Sequence, residues 1–244
     1  MKKMLGRWNV WFIAAAFIVC AAVVTVAVIN IGPAVAVMTD SDGVVFTKPV
    51  LVLDAGHGGI DGGCSSANGD VEKHINLNII KSLDNMAQLY GYETVLTRET
   101  DKSIYDKGVT GIRNQKVSDM DNRLEIFNSY PDAVCVSVHQ NMYTDPQFKG
   151  AQMFYSDTNE DNELLAQIMQ EKFSQTIQPY NEREIKLCGS ELFLCYYCDN
   201  PTIMIECGFL SNPDEAALLI TPEYQSNVAF TIFSGLSEYN AVTK

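Results

Sequence analysis

Hydrophobic and polar positions follow two different periods along this chain. Short runs such as VLVLD, VCVSV and IMIE are almost continuously apolar, which is typical of strands covered on both faces. Between them, apolar residues recur every three or four positions, as at Ile75, Ile79, Leu83 and Met86, which predicts amphipathic helices. In chain order the pattern predicts a strand over 49–54, a helix over 72–91, a strand over 92–98, a helix over 119–130, strands over 132–139 and 151–156, a helix over 162–178, a strand over 202–207, and helices that begin at Pro213 and Pro222.

Strands that alternate with helices in this way predict an α/β domain. We expect three layers, in which a mixed, mostly parallel sheet is flanked by helices. No internal repeat, low-complexity tract or further linker interrupts the alternating pattern. The prediction is therefore a single catalytic-size domain over residues 48–244.

A long apolar stretch precedes the predicted domain. Residues 10–31 contain no ionisable side chain except Cys20, and the basic residues of the 1–9 tail stand before them. A helix of about 22 residues spans roughly 33 Å, which is enough to cross the hydrocarbon core of a bilayer. We therefore expect a cytoplasmic tail, a transmembrane anchor over 10–31, a linker over 32–47 and an extracytoplasmic domain. A cleavable signal peptide that ends near Ala36 is the alternative.

The net charge of the chain disfavours one class of partner. The chain of 244 residues has a formal net charge of −13 at pH 7, and the basic tail makes the remainder more acidic still. Nucleic-acid binding is disfavoured, because a phosphate footprint needs clustered lysines and arginines. An anionic polymer such as the bacterial cell wall would have to be held in a specific cleft.

The stretch VLVLDAGHGGIDGG places His57, one of three histidines, in a glycine-rich loop after a predicted strand. A Walker phosphate loop would need lysine where Cys64 stands, and the dinucleotide fingerprint would need glycine where Asp61 stands. Neither nucleotide motif is present. A metal site and a plain tight turn remain as explanations of the loop.

Ligand-type side chains stand where several predicted elements begin or end. His57, His139 and Glu206 each follow or end a predicted strand, and Glu72 opens the first helix of the domain. Two histidines and one carboxylate form a common catalytic zinc set, and a further carboxylate can move protons. Spacing alone leaves structural histidines as an equal alternative. His74 lies two residues from Glu72 on the same helix and is predicted to be a surface residue.

Four segments together resemble the zinc-dependent N-acetylmuramoyl-L-alanine amidases of the Amidase_3 family. They are LDAGHGGIDGG, EKHINLNI led by Glu72, SVHQN and IECGFLSN, in that order, and the resemblance runs from about Lys48 to the C-terminus. It implies hydrolysis of the amide between the lactyl group of N-acetylmuramic acid and L-alanine in peptidoglycan. It also implies one Zn²⁺ ion bound by His57, Glu72 and His139, with Glu206 as the catalytic glutamate.

The resemblance implies supporting residues as well. Asp54 and Asn76 would orient the ligands, and Arg98 and Arg123 fall at family-like positions. Asn141 stands two residues after His139, on the same side if the strand continues, and is expected to line the cleft. Asp54, Asn76 and Asn141 are each equally able to brace a loop, and a bridge to an acid is the alternative for each arginine. Such a bridge could include Glu206, which would then be a buried structural acid.

A membrane anchor followed by a bare amidase domain is similar to the spore-cortex amidases, which remove the stem peptide from muramic acid before the muramic lactam forms. This similarity implies a role in cortex maturation, on the forespore or in the cell envelope, and it leaves room for an accessory protein. A vegetative cell-wall amidase is the alternative. An inactive peptidoglycan-binding protein and a zinc peptidase are rival hypotheses from other classes.

Six of the seven cysteines fall in the predicted domain. Cys195 and Cys198 form a C-x-x-C pair that could be redox-active or half of a zinc site, and a disulfide that also involves Cys188 is an open alternative. Cys135 is predicted to be a packed thiol. Cys207 follows Glu206 directly and is predicted to face away from the site.

Overall fold

The first strand of the domain is buried along its whole length, as its apolar run predicts. In the computed structural model, which describes residues 48–243, all five residues of β1 (Leu51–Ala55) are buried. The predicted tail, anchor and linker lie outside the described residues. Within residues 48–243, no helix combines the length and the hydropathy needed to cross a membrane.

The described elements alternate between strand and helix for most of the chain. They are β1, α1 (Glu72–Leu89), β2 (Thr94–Leu96), α2 (Ile112–Asn128), β3 (Val134–Asn141), β4 (Gln152–Tyr155), α3 (Asn162–Thr176), β5 (Lys186–Leu187), α4 (Phe193–Tyr197), β6 (Thr202–Phe209), α5 (Pro213–Leu219) and α6 (Pro222–Val242).

The strands form one mixed sheet in the order β2-β1-β3-β6-β4-β5. Every neighbouring pair is parallel except β4 and β6, which are antiparallel. The predicted mostly parallel sheet is therefore confirmed. Because β1, β3 and β6 run in the same direction, their carboxyl ends meet at one edge, and the start of β4 reaches that edge too.

Helices cover both faces of the sheet. On one face, Leu53, Val136 and Ile205 belong to a large apolar core that α1, α3 and α6 complete. On the other face, Val52 and Cys135 pack with residues of α2 and α4. Apolar residues on both faces explain why the strand sequences read as continuous hydrophobic runs, and the three predicted layers are confirmed.

Several boundaries differ from the sequence prediction. Helix α2 begins at Ile112 rather than at residue 119, and only Arg123 and Phe127 are buried along it. Its first turns expose Ile112 and Val117, so no apolar period marks them. Strand β2 is shorter than the predicted 92–98 segment, and the short elements β5 and α4 were not predicted.

The predicted starts of the last two helices are confirmed by their caps. The side chain of Asn212 accepts hydrogen bonds from the backbone N–H groups of Asp214 and Glu215, and proline opens the helix. At α6 the side chain of Thr221 accepts from the N–H of Tyr224. Both helices therefore begin at caps that the sequence displays.

Candidate active site

The carboxyl edge of the sheet brings three ligand-type side chains together. His57 follows β1, His139 lies near the end of β3, and Glu72 is the first residue of α1. Glu72 Oε1 lies 3.2 Å from Nε2 of His57 and 3.1 Å from Nδ1 of His139. One ligand atom from each residue falls within 4.8 Å of the others, so the group could hold a metal ion.

Glycine in the loop after β1 is required by close approach. A Cβ atom at Gly56 would collide with the ring of His139, and one at Gly63 would collide with the carboxylate of Glu72. The backbone of His57 has a φ of 63°, a left-handed conformation that few residues other than glycine adopt. The loop therefore folds tightly around the ligand-type side chains, which a plain turn would not need.

The carboxylate of Glu72 is fixed by backbone donors as well as by the histidines. Its Oε2 accepts from the N–H of Cys64 at 2.8 Å, and its Oε1 accepts from the N–H of Gln140 at 3.1 Å. Burial acts to raise the pKa of Glu72, but hydrogen bonds and charges from His139 and His57 outweigh it and hold the pKa well below its usual range. Glu72 is therefore held as a carboxylate.

An acid that the sequence analysis missed contacts the first histidine. Nδ1 of His57 lies 3.0 Å from Oδ2 of Asp61, whose other oxygen binds Nζ of Lys116 at 2.9 Å. Burial lowers the pKa of His57, but Asp61 and Glu72 together raise it to about 9. The two carboxylates thus favour positive charge at His57, which a proton or a metal cation can supply.

Glu206 lies beside this group, and one of its carboxylate oxygens lacks a hydrogen-bond partner within residues 48–243. In the parallel pairing of β3 and β6, Glu206 is directly opposite His139. Its Oε2 atom is buried without a hydrogen bond. Burial raises the pKa of Glu206 to about 7; Glu72 acts in the same direction, and His139 and His57 act against it. The predicted alternative, an ion pair with Arg98 or Arg123, does not form among the described residues.

Asp54 and Arg123 form a buried pair beneath the site. Both side chains are 1% exposed, and Nη1 of Arg123 binds Oδ1 of Asp54. Arg123 also bonds Asp119 at 2.7 Å, and it donates to the carbonyl oxygens of Ala55 at 3.0 Å and His57 at 2.8 Å. The acid bridge is thus the observed arrangement for Arg123, and it supports the backbone that carries His57.

Arg98 supports the same loop without an acid partner. Its Nε donates to the carbonyl of Ala55 at 2.8 Å, and its Nη2 donates to those of Gly56 at 3.1 Å and Lys73 at 2.7 Å. The side chain is buried, and its guanidinium makes four hydrogen bonds to carbonyl oxygens, the fourth from Nη1 to Thr100 at 3.2 Å. Arg98 therefore joins the loop to the start of α1.

The three remaining predicted polar residues differ in their contacts. Asn76 donates through Nδ2 to Oε1 of Glu72 at 3.2 Å, which is the orienting contact expected of it. Asn141 is half-buried, and its side chain accepts from the N–H of Met142 at 2.8 Å, which braces the following loop. His74 is exposed, as predicted.

The cysteines contribute no cross-link to the described domain. Six cysteines between residues 48 and 243 are free thiols, including Cys188, Cys195 and Cys198. No disulfide joins Cys188, Cys195 and Cys198 in this structure, and none of them belongs to the group of described residues that could hold a metal ion. Cys135 and Cys207 are fully buried, in agreement with the prediction.

The chain matches a known protein family and several named relatives. The model of Amidase_3, described as N-acetylmuramoyl-L-alanine amidase, matches residues 51–238. The germination-specific N-acetylmuramoyl-L-alanine amidase of Bacillus subtilis is 31% identical over 190 residues, which are 78% of this chain and 79% of that protein. AmiA of Escherichia coli is 24% identical over 236 residues, with 79% and 76% of the two chains covered.

Solved structures show the same fold. The CwlD amidase of Clostridioides difficile, solved in complex with the GerS lipoprotein, superposes with a TM-score of 0.77 at 34% identity and covers 80% of this chain and 100% of that one. AmiC2 of Nostoc punctiforme gives a TM-score of 0.68 at 25% identity, with 81% and 99% covered. Family match, sequence identity and fold agree, and this chain belongs to the Amidase_3 family of N-acetylmuramoyl-L-alanine amidases.

Proposed function

We propose that the domain hydrolyses the amide between the lactyl group of N-acetylmuramic acid and L-alanine, with Zn²⁺ held by His57, Glu72 and His139. In this proposal Glu206 is the general base and acid. The observation that carries it is the buried Oε2 atom of Glu206, which has no hydrogen-bond partner among the described residues and whose residue pairs with His139 beside three converging ligand atoms.

The side chains fit a zinc ion. Ligand atoms about 2.0–2.2 Å from a tetrahedral zinc lie roughly 3.3 Å from one another. Two of the three ligand–ligand distances, those from Glu72 Oε1 to the histidine nitrogens at 3.2 and 3.1 Å, agree with that geometry, and the three atoms together lie within 4.8 Å of one another. When bound, Zn²⁺ would lower the pKa of a water molecule toward 7 and polarise the scissile carbonyl.

Glu206 has the properties that the proton transfers require. Burial raises the pKa of Glu206 to about 7 in the metal-free site, and a zinc ion beside it would lower that value. At neutral pH Glu206 is therefore a carboxylate that can accept a proton from the attacking water and then release it. The proton passes to the nitrogen of L-alanine, which leaves as an amine. Because no protein group bonds Oε2 of Glu206, the carboxylate is available for both transfers.

The named relatives support a role in the spore cortex. One is a germination-specific amidase, and another was solved with a lipoprotein partner. We propose that this chain acts on cortex peptidoglycan outside the cytoplasmic membrane, carried by the predicted anchor, and that an accessory lipoprotein assists it. Vegetative wall turnover is the alternative, and the cell type that expresses the protein would distinguish the two roles.

Product analysis tests the proposed reaction. The compact unit 47–244, loaded with zinc, should release stem peptides that begin at a free L-alanine amine from purified peptidoglycan and leave the glycan intact. Mass spectrometry of both fractions, with a metal-free sample as the control, measures this. Cleavage within the peptide would instead identify a zinc peptidase, and release of nothing by the zinc-loaded protein would leave a binding protein or an enzyme that requires its accessory lipoprotein.

Asp61→Asn should weaken zinc binding about 10- to 100-fold, because a carboxylate bonded to the second nitrogen of a ligating histidine orients the ring and raises its basicity. Competition with a chromogenic chelator measures the affinity. Asp84→Asn, on α1, removes the same charge without contact to the candidate ligands and should leave the affinity unchanged. Equal affinities of wild type and Asp61→Asn would mean that Asp61 serves only its pair with Lys116.

A further inference from the structure

A row of side chains crosses the sheet at the edge that carries the site. Glu206 of β6 lies opposite His139 of β3 in the parallel pairing and opposite Gln152 of β4 in the antiparallel pairing. Residues directly opposite one another on neighbouring strands point to the same face of the sheet. Gln152 therefore extends the row of His139 and Glu206 by one position.

Gln152 holds an arginine at the end of this row. Its Oε1 accepts from Nη2 of Arg183 at 2.6 Å, and its Nε2 donates to the carbonyl of Glu184 at 2.9 Å. The guanidinium carbon of Arg183 lies 5.0 Å from the ring centroid of Phe209, which is a cation–π contact. Arg183 is thus held in place by a hydrogen bond and an aromatic ring, next to the catalytic row.

The charge of Arg183 is not neutralised within the described protein. No carboxylate of residues 48–243 lies within ion-pair distance of its guanidinium, in a chain with a net charge of −13. Its Nε atom is buried and has no hydrogen-bond partner. Burial lowers the pKa of Arg183, and the charge of Glu215 acts in the opposite direction.

Glu215 is already committed to other groups. Its Oε1 accepts from the N–H of Gly150 at 2.8 Å and from the hydroxyl of Tyr180 at 2.8 Å, and its Oε2 accepts from the N–H of Phe209 at 2.7 Å. Arg183 is therefore a half-buried, oriented cation that lacks an anion. Planar guanidinium donors match the two oxygens of a carboxylate, and Nη1 and the second Nη2 hydrogen remain for such a ligand.

We propose that Arg183 binds a carboxylate of the substrate's stem peptide, on the second or third residue after the scissile amide. The inference rests on the proposed function and names a specificity-determining residue for it. His139 and Gln152 lie on strands two spacings apart, and each spacing is about 4.8 Å. An extended peptide advances about 3.3 Å per residue. A peptide that runs along the row from the scissile amide thus reaches Arg183 after about three residues.

Two matched muropeptides test this assignment in the full zinc-loaded chain. One has free carboxylates on the second and third residues of the stem peptide, and the other has both amidated. Arg183→Gln should raise KM for the free-carboxylate muropeptide about 10- to 100-fold, with kcat little changed, and should not change KM for the amidated one. Arg183→Lys should recover part of the loss, because it keeps the charge without the planar donors.

An equal loss on both muropeptides would overturn the proposal, because it would mean that Arg183 only braces Gln152. Lys186→Gln, in the adjacent strand β5, removes the same charge where Lys186 packs over Phe154 and should change neither KM value. If Lys186→Gln reproduced the selective loss, general electrostatics would explain it, and the assignment to Arg183 would fail.

Binding measurements separate this proposal from the proposed function. In a Glu206→Gln background, calorimetry should give a Kd for the free-carboxylate muropeptide that Arg183→Gln weakens about 10- to 100-fold, and a Kd for the amidated one that it leaves unchanged. Hydrolysis of neither muropeptide would overturn the proposal that the chain by itself is an active amidase, and it would leave the binding test of Arg183 intact. The absence of a selective change in Kd would overturn the assignment of Arg183 alone.

Discussion

Glu206→Gln is expected to lower kcat for peptidoglycan hydrolysis by about 100- to 10,000-fold and to leave one zinc ion bound per chain. Glutamine keeps the shape of the side chain but can neither accept the proton of the attacking water nor deliver one to the leaving nitrogen. Zinc should stay bound because Glu206 is not among the three converging ligand-type side chains. Turnover with a defined muropeptide and metal analysis of the same sample measure both quantities.

The same substitution should change the pH dependence of stability in the zinc-free protein. The pKa of Glu206 is raised from 4.5 to about 7, so its contribution to stability is complete below about pH 4.5 and is lost as the pH rises through 7. Glutamine cannot ionise, so the variant does not lose this stability as the pH rises. The substitution also breaks no hydrogen bond of Oε2, because that atom has none among the described residues. The melting temperature of Glu206→Gln at pH 8 should therefore equal or exceed that of the wild type.

A variant that keeps wild-type turnover would show that Glu206 does not move the proton, whatever its burial. Glu99→Gln provides the matched control, because Glu99 is exposed and lies outside the site. It should leave kcat, zinc content and the pH dependence of melting unchanged. A loss of zinc in Glu206→Gln would instead place Glu206 in the metal shell.

Element ends mark the candidate site in the sequence, but spacing alone leaves structural histidines as an equal alternative, and the resemblance to the amidase family supplied the assignment. His57, His139 and Glu206 follow or end apolar runs, and a parallel sheet brings such ends to one edge. Asp61 was missed although it lies four residues after His57. The loop between them is half glycine and has neither helical nor strand periodicity, so its sequence does not show which side chains meet. The contact of Asp61 depends on the left-handed turn at His57.

The subsite proposed around Arg183 could not be predicted from the sequence, for a different reason. It requires that β4 run antiparallel to β6, with Gln152 opposite Glu206. A short apolar run carries no signal for strand direction or register, because both depend on partners distant in sequence. Helix α2 shows the same limit, since its exposed first turns lack the apolar period by which a helix is recognised.

The buried pair beneath the site gives the largest expected effect on stability. Arg123→Met should lower the free energy of unfolding by about 3–5 kcal/mol, because it leaves the carboxylate of Asp54 buried without its cation. Burial acts to raise the pKa of Asp54. The charge of Arg123 and hydrogen bonds from Ser137 and Thr97 outweigh it and hold the pKa below its usual range. The stability that this lowered pKa contributes is present above about pH 3.8 and is lost as the pH falls through the native-state pKa.

The loss in Arg123→Met should also reach the metal site, because Arg123 donates to the carbonyl oxygen of His57 at 2.8 Å. Thermal unfolding should show a melting temperature lower by about 10 °C, and chelator competition should show weaker zinc binding. Arg113→Met, on the exposed side of α2, should change neither quantity.

The double variant Asp54→Asn with Arg123→Met should cost less than the two single losses added together, because it leaves no unpaired buried charge. Strict additivity would show that the pair contributes through packing alone, and His57 would then owe its position to Arg98 and the glycine loop.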